Sequence, residues 1–309
     1  MRPPPPRPPS KNLGRRAASS LAIAALSLST SSLPLLAAET DRDSLFSITT
    51  NSRGLVKGDS MPLKFVTRPS YGLESPDVYY PPWFAGRWRA TSTLREVLAP
   101  AGAELFSPGR NGTALLAKAR AEVGDPLAYD VRWRRDGENN VVVDRAYNVE
   151  SISRASMGAG AVQSTQEDGP DHLVMVLKPS GAAPGALFRA DVRVVARRAD
   201  APRADGDGFD CAEVVRQTVV AVQGEQAAAA PARRSPLLKE VETICTYDRQ
   251  PGGTTLTGTQ RTATYLVPDA TYTADPTLAE QAAAGLASAG GRPVAIDVRH
   301  YDLVYEKVV

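Results

Sequence analysis

The sequence predicts a mainly β protein, an antiparallel barrel of about nine strands with one or two short helices. Three observations carry this reading. Alternating or continuous apolar runs recur from Arg87 to the C-terminus. Short turn-rich pieces such as "DGEN", "DAPRADGDG" and "QPGGT" separate them. No regular helical pattern alternates with the runs, which argues against a parallel α/β sheet. A sheet this long has edges to hide, and closure into a barrel hides them.

The chain begins with residues 1–38, which read as a cleaved targeting segment. They hold five basic residues (Arg2, Arg7, Lys11, Arg15 and Arg16) and no acid. Leu21 to Leu36 is apolar to small, and Ala37-Ala38 precede Glu39. That order describes an export signal, with the mature chain starting between Ala37 and Asp41. The stretch is too short and serine-rich for a membrane span, which takes roughly 20 mostly apolar residues. Arg15-Arg16 matches a twin-arginine signal; an ordinary basic region ending in two arginines is the alternative. The Pro-rich start suits either the tail of a plastid transit peptide or an unstructured leader.

Without this segment the charge changes sign. The full chain has 36 Lys+Arg against 34 Asp+Glu; loss of the five basic residues leaves 31 against 34. A slightly acidic chain lacks the electrostatic footprint of a nucleic-acid binder. Residues 39–82 read as an extended arm and 83–309 as one barrel domain, large enough to bury a core. No transmembrane span is expected in the mature chain.

The strands follow in order. "RWRATSTL" puts Trp88, Ala90, Ser92 and Leu94 on one face. "LAYDVRWRRD" and "NNVVVDRAYN" come next. "HLVMVLKP" reads as a buried strand ended by Pro179. "ALFRADVRVVARR" alternates, and "AEVVRQTVVAVQG" and "LLKEVETICTYDR" are long and β-branched. "QRTATYLVP" and "RPVAIDVRHYDLVYEKV" complete the nine. Helices are expected around "LLAKARAEV" and in "DPTLAEQAAAGLASAGG", which starts after an Asp-Pro cap and ends at paired glycines.

Two cysteines, Cys211 and Cys245, are too few for a disulfide scaffold. A hairpin centred near Pro231 would set Cys211 against Gln250. That leaves the sulfurs out of register for a bridge, which needs Cα atoms within about 7 Å. Free thiols are expected; a single Cys211–Cys245 bridge, in an oxidising compartment and with a bulge or bent strand ends, is the alternative.

Two resemblances add to this. Gly86-Arg87-Trp88 at the start of the first long strand resembles the glycine-x-tryptophan of lipocalin-like, or calycin-like, barrels. The resemblance implies that Trp88 plugs one barrel end and that a late-strand cation, Arg299, stacks on it. Gly86 would permit close backbone approach. More specifically, "VKGDSMPLKFVTRPSYGLESPDVYYPPWFAGRWRATSTL", "VVVDRAYNVESISRASMG" and "KEVETICTYDR" resemble an uncharacterised cyanobacterial and plastid family, domain of unknown function 6816. The resemblance runs from about Lys57 to the C-terminus. It implies a photosynthetic setting and, with the twin-arginine leader, the chloroplast thylakoid lumen. No catalytic residue can be carried over from it.

The search for chemistry gives absences. His172 and His300 are the only histidines, and no Cys/His cluster has metal-ligand spacing. There is no phosphate-binding lysine loop and no nucleophile elbow. "DGDGFD" has close carboxylates, but Arg216 stands where a calcium loop needs an acid, so it reads as a polar hairpin turn. No catalytic residue, metal or cofactor is assigned, and a non-enzymatic role is expected. The best polar constellation is "VDRAYN". One reading is a strand-to-turn junction held by an Asp144–Arg145 pair. The other is a barrel rim where Arg145 and Tyr147 meet a ligand. "SPDVYYPPWF" is then either a lid carrying Tyr79, Tyr80 and Trp83, or an arm strapped along the exterior. Two roles stay open: a carrier of a small apolar molecule (a lipid, pigment or quinone-like compound), or an assembly or maintenance factor for a photosynthetic membrane complex. A mostly apolar cavity of about 300 Å³ or more would suit the carrier. A filled interior with a large exposed apolar patch would suit the factor.

Overall fold

The computed structural model describes residues 48–50, 56–59, 67–106, 111–178, 186–223, 237–267, 276–288 and 290–308. Residues 1–38, expected from sequence to be a targeting segment, lie outside the described residues. Among the described residues, twelve strands run in chain order: β1 (Ile48–Thr50), β2 (Val56–Asp59), β3 (Gly86–Leu98), β4 (Pro126–Arg135), β5 (Val141–Val143), β6 (Val162–Glu167), β7 (His172–Leu177), β8 (Ala186–Ala199), β9 (Gly208–Gln223), β10 (Leu237–Arg249), β11 (Thr255–Tyr265) and β12 (Ala295–Lys307). The described residues also form three α-helices: α1 (Gly112–Ala121), α2 (Arg145–Met157) and α3 (Pro276–Ser288). β1 and β2 pair with each other. The other ten form one antiparallel sheet, ordered β5-β4-β3-β12-β11-β10-β9-β8-β7-β6, curled into a half-barrel.

This corrects the expected count in two places. The sheet gains β6, whose "VQSTQE" is too polar to announce itself. "NNVVVDRAYN" is only half strand: β5 stops at Val143 and α2 starts two residues later. Asp144 sets that boundary, because its carboxylate accepts from the Tyr147 N–H and caps the helix. Gly158 follows the last turn at a φ of +106°. The buried face of α2 is Val149, Ile152, Ser153 and Ser156, a helical spacing with half its positions polar.

β5 and β6 are the sheet's edges, and α2 packs against both β4 and β6. β5 pairs only residues 133–135 of β4. Side chains of α2 take over from there. The Asp130 N–H donates to Ser151 Oγ (3.1 Å) and the Arg132 N–H to Asn148 Oδ1 (2.6 Å), while Asn148 Nδ2 donates back to the Arg132 carbonyl (3.2 Å). A helix thus satisfies backbone groups that an open edge would present to another chain. Arg134 and Glu167 face each other across the same seam at 3.7 Å.

The arm is strapped outside and then turns in. Arg68 pairs with Glu240 at 2.7 Å, and the Tyr71 hydroxyl donates to Glu242 at 2.9 Å. Glu242 is fully buried, paired with Arg261 and accepting from Tyr265 Oη at 2.6 Å. Leu73 bridges to Arg197 on β8, and Tyr80 to Val141 on β5. A single turn of 3-10 helix, Pro82–Phe84, then drives Phe84 into the barrel end. There it lies 4.9–5.0 Å, centroid to centroid, from Tyr80, Trp133 and Tyr247.

Trp88 is fully buried on β3, beside the final strand. Its Nε1 donates to the Phe84 carbonyl at 2.7 Å. The cation over its ring is Lys307, at 5.1 Å, and not Arg299. The register explains the correction: Lys307 lies opposite Trp88, whereas Arg299 lies opposite Val97, nine residues or roughly 30 Å further along β3. Arg299 is held by Asp297 at 2.8 Å and lies over Phe106. Gly86 is needed for its φ of +117°, not for close approach: an added Cβ would meet only Lys307 Cε at 3.7 Å.

The cysteine register also differs. β9 and β10 pair Val219 with Leu237 and Cys211 with Cys245, so the hairpin is centred near residue 228. Both cysteines are buried free thiols.

Candidate functional site

Alternation on the curled sheet turns Tyr129, Val131 and Trp133 of β4, Cys211, Glu213 and Val215 of β9, Thr243, Cys245 and Tyr247 of β10, Gln260 of β11 and Tyr305 of β12 to one interior. Val192 and Val194 of β8 and Val149 of α2 add apolar wall. The cavity they enclose is about 170 Å³. That is smaller than the drug-sized range of roughly 300–1,000 Å³. It is close to the roughly 150 Å³ at which an apolar protein cavity holds a single benzene.

One side of the wall is charged. Arg145, the first residue of α2, donates from Nη1 and Nη2 to the two oxygens of Glu213 at 2.9 and 2.6 Å, and from Nη2 to Asp77 at 3.0 Å. Burial alone would push the Arg145 pKa down, but Glu213 and Asp77 hold it above its ordinary value, so the guanidinium stays charged. Burial raises Asp77 above the usual carboxylate range, against the pull of Arg145. Arg197, fully buried, pairs with Asp171 and donates to the Pro76 carbonyl, and its Nε lies 3.7 Å from Glu213. The arm is therefore tied to the cavity mouth by two arginines.

Four tyrosine phenols also line the cavity. Burial lifts the Tyr80, Tyr129, Tyr247 and Tyr305 phenols above their ordinary pKa, so all four keep their protons. Arg145 Nε has no acceptor among the described residues; away from that cluster, two further N–H donors of cavity-lining residues have none, Trp133 Nε1 and Gln260 Nε2. Both residues are more than nine-tenths buried. Gln260 is oriented by Cys245, whose thiol donates to Oε1 at 3.7 Å, leaving the amide nitrogen without a partner. A buried donor left unpaired costs about 1–3 kcal/mol, so an acceptor that reached either group would recover that cost.

The five residues considered from sequence for ligand contact separate here. Tyr80 and Arg145 line the cavity. The partners of Arg145 there are Glu213 and Asp77. Asp144 instead pairs with Arg132 at 2.6 Å. Tyr147 lies under the Arg132 guanidinium at 4.6 Å. Tyr79 is exposed and lines an outer groove with Arg134 and Glu167. Trp83 stacks on Phe84 at 4.2 Å and donates to the Gly206 carbonyl at 3.1 Å, in the "DGDG" turn. Sequence reasoning missed Trp133 and Gln260. The available signal was parity: Gln260 shares a face with Leu256, and Trp133 with Val131 and Tyr129.

Among the described residues, no group of three or more His, Cys, Asp or Glu side chains is placed to hold a metal ion. None of the described helices is long and apolar enough to cross a membrane. Comparison with curated proteins found no match, and neither did comparison with solved structures. The family model of Domain of unknown function (DUF6816) matches residues 72–296, which takes in the arm from Gly72, the whole seam and the cavity wall as far as β12. The chain belongs to the DUF6816 family.

Proposed function

We propose that this protein is a non-enzymatic binding protein whose half-barrel takes a ring-sized, carbonyl-bearing molecule or head group. The observation that carries the reading is the pair of acceptor-less donors, Trp133 Nε1 and Gln260 Nε2, on an otherwise mostly apolar wall. A cavity of about 170 Å³ has room for one ring, not for a whole lipid or a tetrapyrrole pigment. A quinone-like ring offers the matching chemistry: an apolar body and carbonyl oxygens for the two N–H groups. The buried Arg145–Glu213–Asp77 cluster sets one cation against two carboxylates, so it offers an anionic ligand no net positive charge and instead fixes α2 and the arm around the site. The thylakoid lumen is part of the same proposal. It rests on the Arg15-Arg16 leader and on the plastid resemblance, and the calycin-like descent rests on Gly86-Arg87-Trp88.

Calorimetric titration tests this with matched probes. Acetophenone carries one ring and one carbonyl, and ethylbenzene has the same shape without the acceptor. Acetophenone should bind at least about tenfold more tightly, the equivalent of roughly 1.4 kcal/mol for one satisfied buried donor. Gln260→Met should narrow that ratio. Equal affinity for the two probes, or no binding of either, would remove the reading.

A further inference from the structure

The two cysteines lie directly opposite each other on the cavity wall, Cys211 on β9 and Cys245 on β10. Directly opposite residues of an antiparallel pair send their side chains to the same face. The Arg249 N–H donates to the Asp207 carbonyl at 2.7 Å, one register step beyond the last ladder pair. Counting in twos from that bond makes Cys211–Cys245 a hydrogen-bonded pair, with Cα atoms about 5.5 Å apart. A disulfide spans Cα separations of roughly 4.4–6.8 Å. No bulge interrupts the ladder between these strands.

We propose that Cys211 and Cys245 are a redox pair that closes to a cross-strand disulfide inside the cavity, with a small peroxide as oxidant. One thiol, as its thiolate, attacks the peroxide O–O bond. The products are a sulfenic acid and, after protonation of the leaving hydroxide, one water. The second thiol attacks the sulfenic sulfur; the S–S bond forms and the second water leaves. Two thiols lose two electrons and two protons, and hydrogen peroxide becomes two waters.

Burial selects the oxidant. Both thiols are more than nine-tenths buried and line a ring-sized cavity, which favours a small oxidant over a protein disulfide. Hydrogen bonding to Cys245, then burial, push the Cys211 thiol well above its ordinary pKa. The pair is therefore slow at neutral pH and faster in alkali, where the thiolate fraction grows. Oxidation also removes the Cys245 S–H that orients Gln260. A loss of acetophenone affinity on oxidation follows from that contact, and this consequence alone rests on the ligand reading above.

The test is hydrogen peroxide treatment of the folded chain, then denaturation, alkylation without reductant and intact-mass measurement. Alkylated cysteines should fall from two to none in a monomer that has lost two hydrogens, and dithiothreitol should restore both. The rate should rise about tenfold per pH unit below the thiol pKa. Cys245→Ser should give sulfenic or sulfinic acid on Cys211 and no internal disulfide. Two alkylatable cysteines after treatment would overturn the proposal. So would stepwise oxygen addition without hydrogen loss, or disulfide appearing only in denatured or dimeric protein. The mass result stands whether or not acetophenone binds, so failure of the two proposals can be told apart.

Discussion

Trp88→Ala isolates what the buried indole contributes to the half-barrel. The indole is fully buried between β12 and β4, opposite Lys307 and Val131, and its Nε1 bonds the Phe84 carbonyl at 2.7 Å. Truncating a buried Trp costs about 3–5 kcal/mol through lost contacts and the cavity left behind. The Phe84 carbonyl would also lose its indole donor, at about 1–3 kcal/mol, which places the total near the top of that range. A domain of this size loses about 2–4 °C of melting temperature per kcal/mol, so the midpoint should fall by roughly 10–20 °C. Trp88→Phe keeps most of the ring and loses only the donor; it should cost about 1–3 kcal/mol. Lys307→Met, which removes only the cation over the ring, should cost no more than about 1 kcal/mol. Urea unfolding followed by circular dichroism reads all three. A Trp88→Ala protein within 1 kcal/mol of the parent would refute the plug, and so would Lys307→Met costing as much as Trp88→Ala.

Three further outcomes follow from buried charge. Arg145→Met strands Glu213 and Asp77 and should cost about 3–5 kcal/mol in urea unfolding; an unchanged midpoint would mean that the cluster is wet. Lys239 is buried near Asp297 and Arg299, and burial lowers its pKa to about 8. The unfolded chain therefore holds one more proton between about pH 8 and 10.5, and stability rises with pH across that window. Lys239→Met should stabilise by up to about 3 kcal/mol at pH 7, with the gain fading towards pH 10.5. Burial and the Arg261 charge lower the His300 pKa to about 4, so that share of stability is lost as pH falls from about 6.5 to 4. His300→Gln should flatten the acid limb of the stability curve there.

Much of the β-sheet was legible because alternation survives in the long strands. β10 begins and ends on the residues expected, and α1 and α3 lie where Ala-rich periodicity and the Asp-Pro cap put them. α2 was not legible, since half its buried face is serine and Val141–Val143 read straight into it as strand. The Asp144 cap, Gly158 and the Glu150–Arg154 pair at helical spacing were its only local marks. Registers were the larger loss. The partners of Trp88 and Cys211 depend on where a hairpin is centred, and a shift of a few residues replaces Gln250 by Cys245. The site depends on registers across several strands, so Trp133 and Gln260 were invisible as a pair until the sheet was curled. Arg145 was found by its chemistry, but its partners lie 68 residues away in either direction.

The most direct test uses the three tryptophan indoles as internal probes. Trp83 Nε1 bonds Gly206, Trp88 Nε1 bonds Phe84, and Trp133 Nε1 has no acceptor among the described residues. In a ¹⁵N–¹H correlation spectrum each gives one indole peak. Saturating acetophenone should move the Trp133 indole proton downfield and leave the other two nearly fixed, and ethylbenzene should not reproduce that shift. A Trp133 peak that stays in place, or that moves equally with both compounds, would contradict a carbonyl-binding cavity.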